Sequence, residues 1–152
     1  MLILSGVPEL ADYTKEEMQL FRLLTWVNFA DIDLSMLDDN ALPQDYTVIH
    51  EIVGSYALTA GLEVDAAIET QEFYHCLATA AAFRWGILID LAFKAAANAK
   101  KSGNPCLSPE DFVDVWAIKT GMNRAATPFT HEGYRTMFRP DKPFQSSIAS
   151  YA

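Results

Sequence analysis

Residues 80–96 read AAAFRWGILIDLAFKAA. Three charges interrupt this apolar run: Arg84, Asp90 and Lys94. Asp90 and Lys94 are spaced i,i+4, the separation of an ion pair on a helix surface. The pattern predicts an amphipathic helix from about Arg84 to Lys101. Its end, Lys100-Lys101-Ser102-Gly103, places basic residues and then glycine where a helix C-terminus favours them. Arg84 falls at the helix start, just ahead of Gly86. An arginine is costly to bury without an anionic or polar partner. At a helix start it is held rigidly and can be aimed at a phosphate. Alternatively it snorkels to the surface or pairs with a nearby carboxylate.

Helical patterns continue on both sides. Downstream, Ser108, Pro109 and Asp111 match the N-cap, N1 and N3 positions of a capped helix, and Leu107 and Phe112 occupy the staple positions. That helix is predicted to bury Phe112, Val115 and Trp116, with the Lys119 stem alongside, and to stop at Gly121. Beyond Met122 the chain reads as loop, with one short helix around His131 to Phe138 and a frayed tail from Ser146. Upstream, a helix runs from about Asp65 to Ala80. Another starts at Asp45, carries Tyr46, Ile49, Val53, Tyr56 and Ala57 on one face, and stops at Gly61.

Before the turn cluster at 38–44 the pattern changes. Leu2 to Leu4 reads as a short buried strand ended by Ser5-Gly6, and Phe29 to Leu34 alternates with the period of a half-buried strand. Between them, Thr14 and Glu17 form a capping-box pattern ahead of Met18, Phe21 and Leu24 or Thr25 at helical spacing. The fold expected is mainly α: a lid-type bundle of about four helices, preceded by a short α/β remnant with one or two strands. The expected domains are 1–40 for the remnant, 41–122 for the helical lid and 123–152 for a C-terminal extension.

The chain has 152 residues and a net charge of −9. A chain of this length buries roughly 70% of its unfolded surface, so it needs no disulfides. Cys76 and Cys106 lack the spacing of a zinc site, and a reducing cytoplasm fits them. Residues 1–72 carry fourteen acids and two bases, a balance of −12; residues 73–152 carry six acids and nine bases, a balance of +3. Neither half has a dense basic stripe with interleaved aromatics, which argues against autonomous DNA binding. The start, MLILSGVPEL, lacks the basic region and apolar length of a signal peptide. Cys76 to Ala99 is long enough to span a bilayer, but its three charges favour a soluble reading.

Metal and nucleophile motifs are sparse. There is no G-x-x-x-x-G-K-[ST], no GxGxxG and no GxSxG. His50-Glu51 opens like a metalloprotease motif, but Gly54 stands where the second histidine belongs. Glu72 and His75 form one E-x-x-H pair, whereas a di-iron bundle needs two such pairs and two further glutamates. His131 reads as a solvated loop residue, and Asp31 and Asp33 as the polar face of a strand. No metal site is expected.

Five segments together resemble the C-terminal half of a TniB/TnsC-type AAA+ transposition ATPase, over about residues 2–130. LILSGVPEL (2–10) is similar to the sensor-1 strand running into a G-[TV]-P-E-L helix start. QLFRLL (19–24) is similar to the Q-L-x-x-R-F helix, AAFRWGILIDLAFKAA (81–96) to the R-[FW]-G opening of the third lid helix, and LSPEDFVDVWA (107–117) to the L-x-x-x-x-F-x-x-A-[WY] lid helix. MNRAATPF (122–129) resembles the N-P-F-like segment that follows. The phosphate loop and acidic metal-binding strand of the family are absent. Phe21 also stands where a second arginine often precedes Arg22.

The resemblance implies roles residue by residue. Ser5 takes the sensor-1 position, near the γ-phosphate and its attacking water. Arg84 takes sensor 2, with Trp85 and Gly86 beside it in the nucleotide site, and couples lid closure to nucleotide state. Arg22 is a candidate arginine finger acting in trans. The full-length family uses ATP and magnesium, assembles on DNA and directs a transposase. This chain alone is expected neither to bind nucleotide tightly nor to hydrolyse it, because positioning phosphate and magnesium is most of that chemistry. It is expected to self-associate in the cytoplasm and to have no membrane partner. The alternative is a stand-alone acidic helical module, an adaptor or immunity protein that neutralises a basic partner through the acidic first half. A third reading, a metal-dependent helical enzyme, rests on Glu72 and His75 alone.

Overall fold

A computed structural model describes residues 31–37 and 42–137. The described chain is mainly helical, with one small two-stranded parallel sheet. The expected strand at Leu2–Leu4, together with Ser5 and Arg22, lies outside the described residues.

Helix α1 spans Gln44–Ala60 and buries Ile49, Val53 and Ala57, the stripe its sequence period specifies. It ends at Gly61, whose φ of 73° is the left-handed conformation that glycine adopts at least cost. The Gly61 N–H donates to the Leu58 carbonyl and the Leu62 N–H to the Ala57 carbonyl, the paired bonds of a Schellman motif. Strand β1, Glu63–Val64, follows.

Helix α2 spans Gln71–Ala80, starting six residues later than the pattern predicts. The Asp65 carboxylate accepts the Ala67 N–H at 2.8 Å, so the aspartate makes its own turn instead of capping a helix. Ile68 plugs the core from that turn, and Thr70 supplies the cap by accepting the Phe73 N–H.

Helix α3, Trp85–Lys101, is the helix on which the described elements pack. Leu88, Leu91, Ala92, Ala95, Ala96 and Ala99 are all buried along it. Its alanines let α1 pack against one side and helix α4, Pro109–Thr120, against the other. Strand β2, Cys106–Leu107, joins α3 to α4 and runs parallel to β1, with Glu63 opposite Cys106 and Val64 opposite Leu107. The crossover between the two strands is α2 and α3, the long connection a parallel pair requires.

The start of α4 matches the sequence reading. Asp111 reaches back to the Ser108 N–H at 2.9 Å, Pro109 is at N1, and Leu107 and Phe112 are fully buried. Phe112, Val115 and Trp116 face the core as predicted. The Lys119 ammonium reaches Asp90 at 2.6 Å, and Lys94 meets the same carboxylate.

The alternation at 29–34 does not produce a strand over its described part. Ile32 is buried, but Leu34 and Ser35 form a turn, and Asp33 caps it by accepting the Ser35 N–H and hydroxyl. After a 3-10 turn at Arg124–Ala126 comes the short helix α5, Tyr134–Met137. Phe129 stacks on Phe73 at 5.6 Å and lies 6.0 Å from Phe112, so this segment packs onto α2 and α4.

Candidate functional site

The corner between α2 and α3 places Arg84. The two helices are bent by 111° across four residues. Helix α2 closes with the Ala82 N–H on the Thr79 carbonyl and the Phe83 N–H on the Ala78 carbonyl, again the bonds of a Schellman motif. Here no glycine takes the left-handed position. Ala82 has φ 51° and Phe83 φ 58°. Such a conformation costs a non-glycine residue about 1–2 kcal/mol. The next residue, Arg84, is extended at φ −110°, ψ 121° and is the N-cap of α3.

Three features of this helix start suit an anion. The N–H groups of Trp85 and Gly86 have no acceptor among the described residues, while those of Ile87 and Leu88 both close on the Arg84 carbonyl. Arg84 is exposed, and its guanidinium forms no ion pair or hydrogen bond with a described residue. Gly86 is exposed, and a Cβ placed there would meet nothing within 4 Å. Trp85 is half-buried and packs on the core, which fixes the first turn. N–H groups and a guanidinium without partners among the described residues, at the positive end of a 17-residue helix, are groups of the kind that bind phosphate oxygens.

Four of the six other described basic side chains are engaged, whereas Lys100 and Lys101 at the end of α3, like Arg84, form no ion pair with a described residue. Arg124 bonds Glu110 and Asp114, Arg135 bonds Glu72, and Lys94 and Lys119 share Asp90. Lys119 and Lys94 hold the Asp90 carboxyl below its ordinary range.

A second polar cluster joins α2 to α5. The Tyr134 hydroxyl donates to Glu72 Oε1 at 2.9 Å and lies 3.1 Å from His75 Nδ1, while Arg135 Nε donates to the Tyr134 oxygen. The Tyr134 proton is committed to Glu72, and Thr79 donates its own to the His75 carbonyl. The Tyr134 oxygen lies 3.1 Å and Thr79 Oγ1 3.4 Å from His75 Nδ1. Burial, then the Arg135 charge, pushes the His75 imidazolium down, against a smaller opposite effect of Glu72. Burial pushes the Cys76 thiol up to about 11 and the Tyr134 phenol upward. Sequence reasoning paired Glu72 with His75 but missed Tyr134 and Arg135, which stand about sixty residues away with no local pattern to flag them. Among the described residues, no group of three or more His, Cys, Asp or Glu is placed to hold a metal ion.

His50, His131 and Asp33 have structural partners. His50 Nδ1 meets the Tyr74 hydroxyl at 2.8 Å. His131 is half-buried and accepts the Gly133 N–H rather than standing in solvent. The two Ser35 bonds hold the Asp33 carboxyl below its usual value. An open groove of about 340 Å³ between α1 and α3 is lined by Val48, Glu51, Ile52, Ser55, Tyr56 and Ile89.

Among the described residues, no single helix is long and apolar enough to cross a membrane. Comparison with protein families, with curated proteins and with solved structures finds no match to the chain.

Proposed function

We propose that this chain is the helical lid, with a remnant of the nucleotide-binding core, of a TniB/TnsC-type AAA+ transposition ATPase, and that Arg84 is its sensor-2 arginine. The observation that carries the reading is the state of Arg84: exposed, unpaired among the described residues, and set at a helix start whose first two N–H groups lack acceptors. The motif resemblance across residues 2–130 supports it.

In the complete protein, ATP supplies the γ-phosphoryl group and its anionic charge. Arg84 binds those oxygens by charge-assisted hydrogen bonds, with the Trp85 and Gly86 N–H groups beside it. Because Arg84 is built into the corner of the bundle, contact with phosphate draws on the whole helical unit. Ser5 serves at sensor 1 and Arg22 as a finger in trans. This chain alone does not hydrolyse ATP. The complete protein works in the cytoplasm with magnesium, DNA and a transposase.

The DNA upstream of the Met1 codon tests the reading. An open frame encoding a phosphate loop and an acidic strand, within roughly 150–200 codons, supports it. In the protein so encoded, Arg84→Ala lowers ATP turnover by about 10²-fold. An in-frame stop followed by a ribosome-binding site overturns it and leaves the acidic binding module as the better account.

A further inference from the structure

The corner that carries Arg84 is fastened from outside its own two helices. Ile32 donates its backbone N–H to the Phe83 carbonyl at 2.7 Å. The next N–H, that of Asp33, donates to Asp45 Oδ2 in the first turn of α1, also at 2.7 Å. Two consecutive peptide N–H groups thus tie residues 31–33 to the α2–α3 corner on one side and to α1 on the other. The Ile32 side chain is 4% exposed, so the segment is anchored by burial as well. The Phe83 ring stands edge-on to His75, 6.4 Å between centroids, which holds the residue from the α2 side.

These contacts matter because the corner is not self-sufficient. Ala82 and Phe83 both sit at positive φ without being glycine, a conformation that persists only where surrounding contacts over-determine it. The Phe83 carbonyl belongs to the peptide group that leads directly into Arg84. A bond to that carbonyl sets the orientation of the peptide plane from which the arginine projects.

We propose that Ile32 is a positioning residue for Arg84, and that segment 31–33 is a strap whose attachment sets whether the guanidinium and the Trp85 and Gly86 N–H groups converge. The proposal rests on the reading of Arg84 as a phosphate-binding residue and adds how that residue is controlled. By sequence the strap is the connection from residues 1–30 to the helices.

The test titrates the full chain with inorganic tripolyphosphate and follows the Trp85 and Gly86 amide resonances. Four variants are compared: Arg84→Ala, Ile32→Pro, Asp45→Ala and Asp45→Asn. Ile32→Pro removes the donor to Phe83. Asp45→Ala frees the other end of the strap if the proline variant fails to fold, and Asp45→Asn retains an acceptor oxygen. Arg84→Ala weakens binding about tenfold or more. Ile32→Pro and Asp45→Ala weaken it by at least about fivefold, and Asp45→Asn restores affinity close to that of the parent chain. A variant that merely destabilises the fold lowers the melting temperature but leaves the affinity of its folded fraction unchanged. If Arg84→Ala weakens binding while the strap variants bind as the parent does, the strap is overturned and the Arg84 site stands. If Arg84→Ala binds as the parent does, the site falls, and the strap's role with it.

Discussion

His75 and Cys76 are adjacent on α2 and titrate against the fold in opposite directions. His75 has a depressed imidazolium, so its neutral ring favours the folded state above its ordinary value of 6.5, and that stability is lost as the pH falls below it. Cys76 has a raised thiol, from 9.0 to about 11, so its contribution is complete below pH 9 and is lost as the pH rises toward 11. Stability against urea should therefore be flat between these limits and fall on both sides. His75→Gln should lessen the acid limb and Cys76→Ala the alkaline limb. Limbs that keep their slopes in both variants would show that the ionisations lie elsewhere. The cluster around these residues includes Glu72, Tyr134 and Arg135, with Tyr46 close enough for its phenol to sense Arg135 and Glu72.

Among the described residues, three helix ends close with the same paired bonds, and one of the three lacks glycine. Gly61 and Gly103 take φ 73° and 74°, whereas Ala82 stands at 51° in the equivalent position. Ala82→Gly relieves backbone strain but deletes a buried methyl and loosens the unfolded chain. These effects oppose one another at about 1 kcal/mol each, so the variant should be within about 1 kcal/mol of neutral. Ala95→Gly, in the buried middle of α3, has no strain to relieve and should cost about 2 kcal/mol. Chemical denaturation of the two variants checks this, and equal losses would mean that the positive φ carries no penalty. The comparison also explains which elements could be read in advance. The end of α1, the start of α4 and the buried stripe of α3 announce themselves through glycine, Ser-Pro-x-Asp and apolar spacing. Neither Ala82 nor Phe83 carries any local mark of a left-handed turn. Arg84 was legible as a helix-start arginine, but the strain behind it and its bond from Ile32 depend on tertiary contacts. The β1–β2 pair was missed for the same reason: two residues per strand give no period, and their pairing is set by where α3 returns the chain.

At the scale of the molecule, apolar side chains remain exposed on the α1 and α3 surfaces. Leu58 and Phe93 are 80% and 54% exposed, and Val48 and Ile89 border the groove between the helices. Tyr56 packs edge-on to Phe93 at 5.9 Å. Self-association is the behaviour expected of the chain, and light scattering over a concentration series should report a dimer or larger species. A monomeric mass at every concentration would count against it.

The parallel pairing of β1 with β2 has a consequence for synthesis. Glu63 and Val64 leave the ribosome well ahead of Cys106 and Leu107, the strand they must join. Helices α2 and α3 have to emerge and collapse in between, so the ladder closes only after much of the core has formed. Until then the β1 backbone is an unpaired edge, open to any extended segment that passes. A pause in translation just before residue 106 would prolong that window, and an arrested nascent chain is the species in which mispairing of this protein should first be sought.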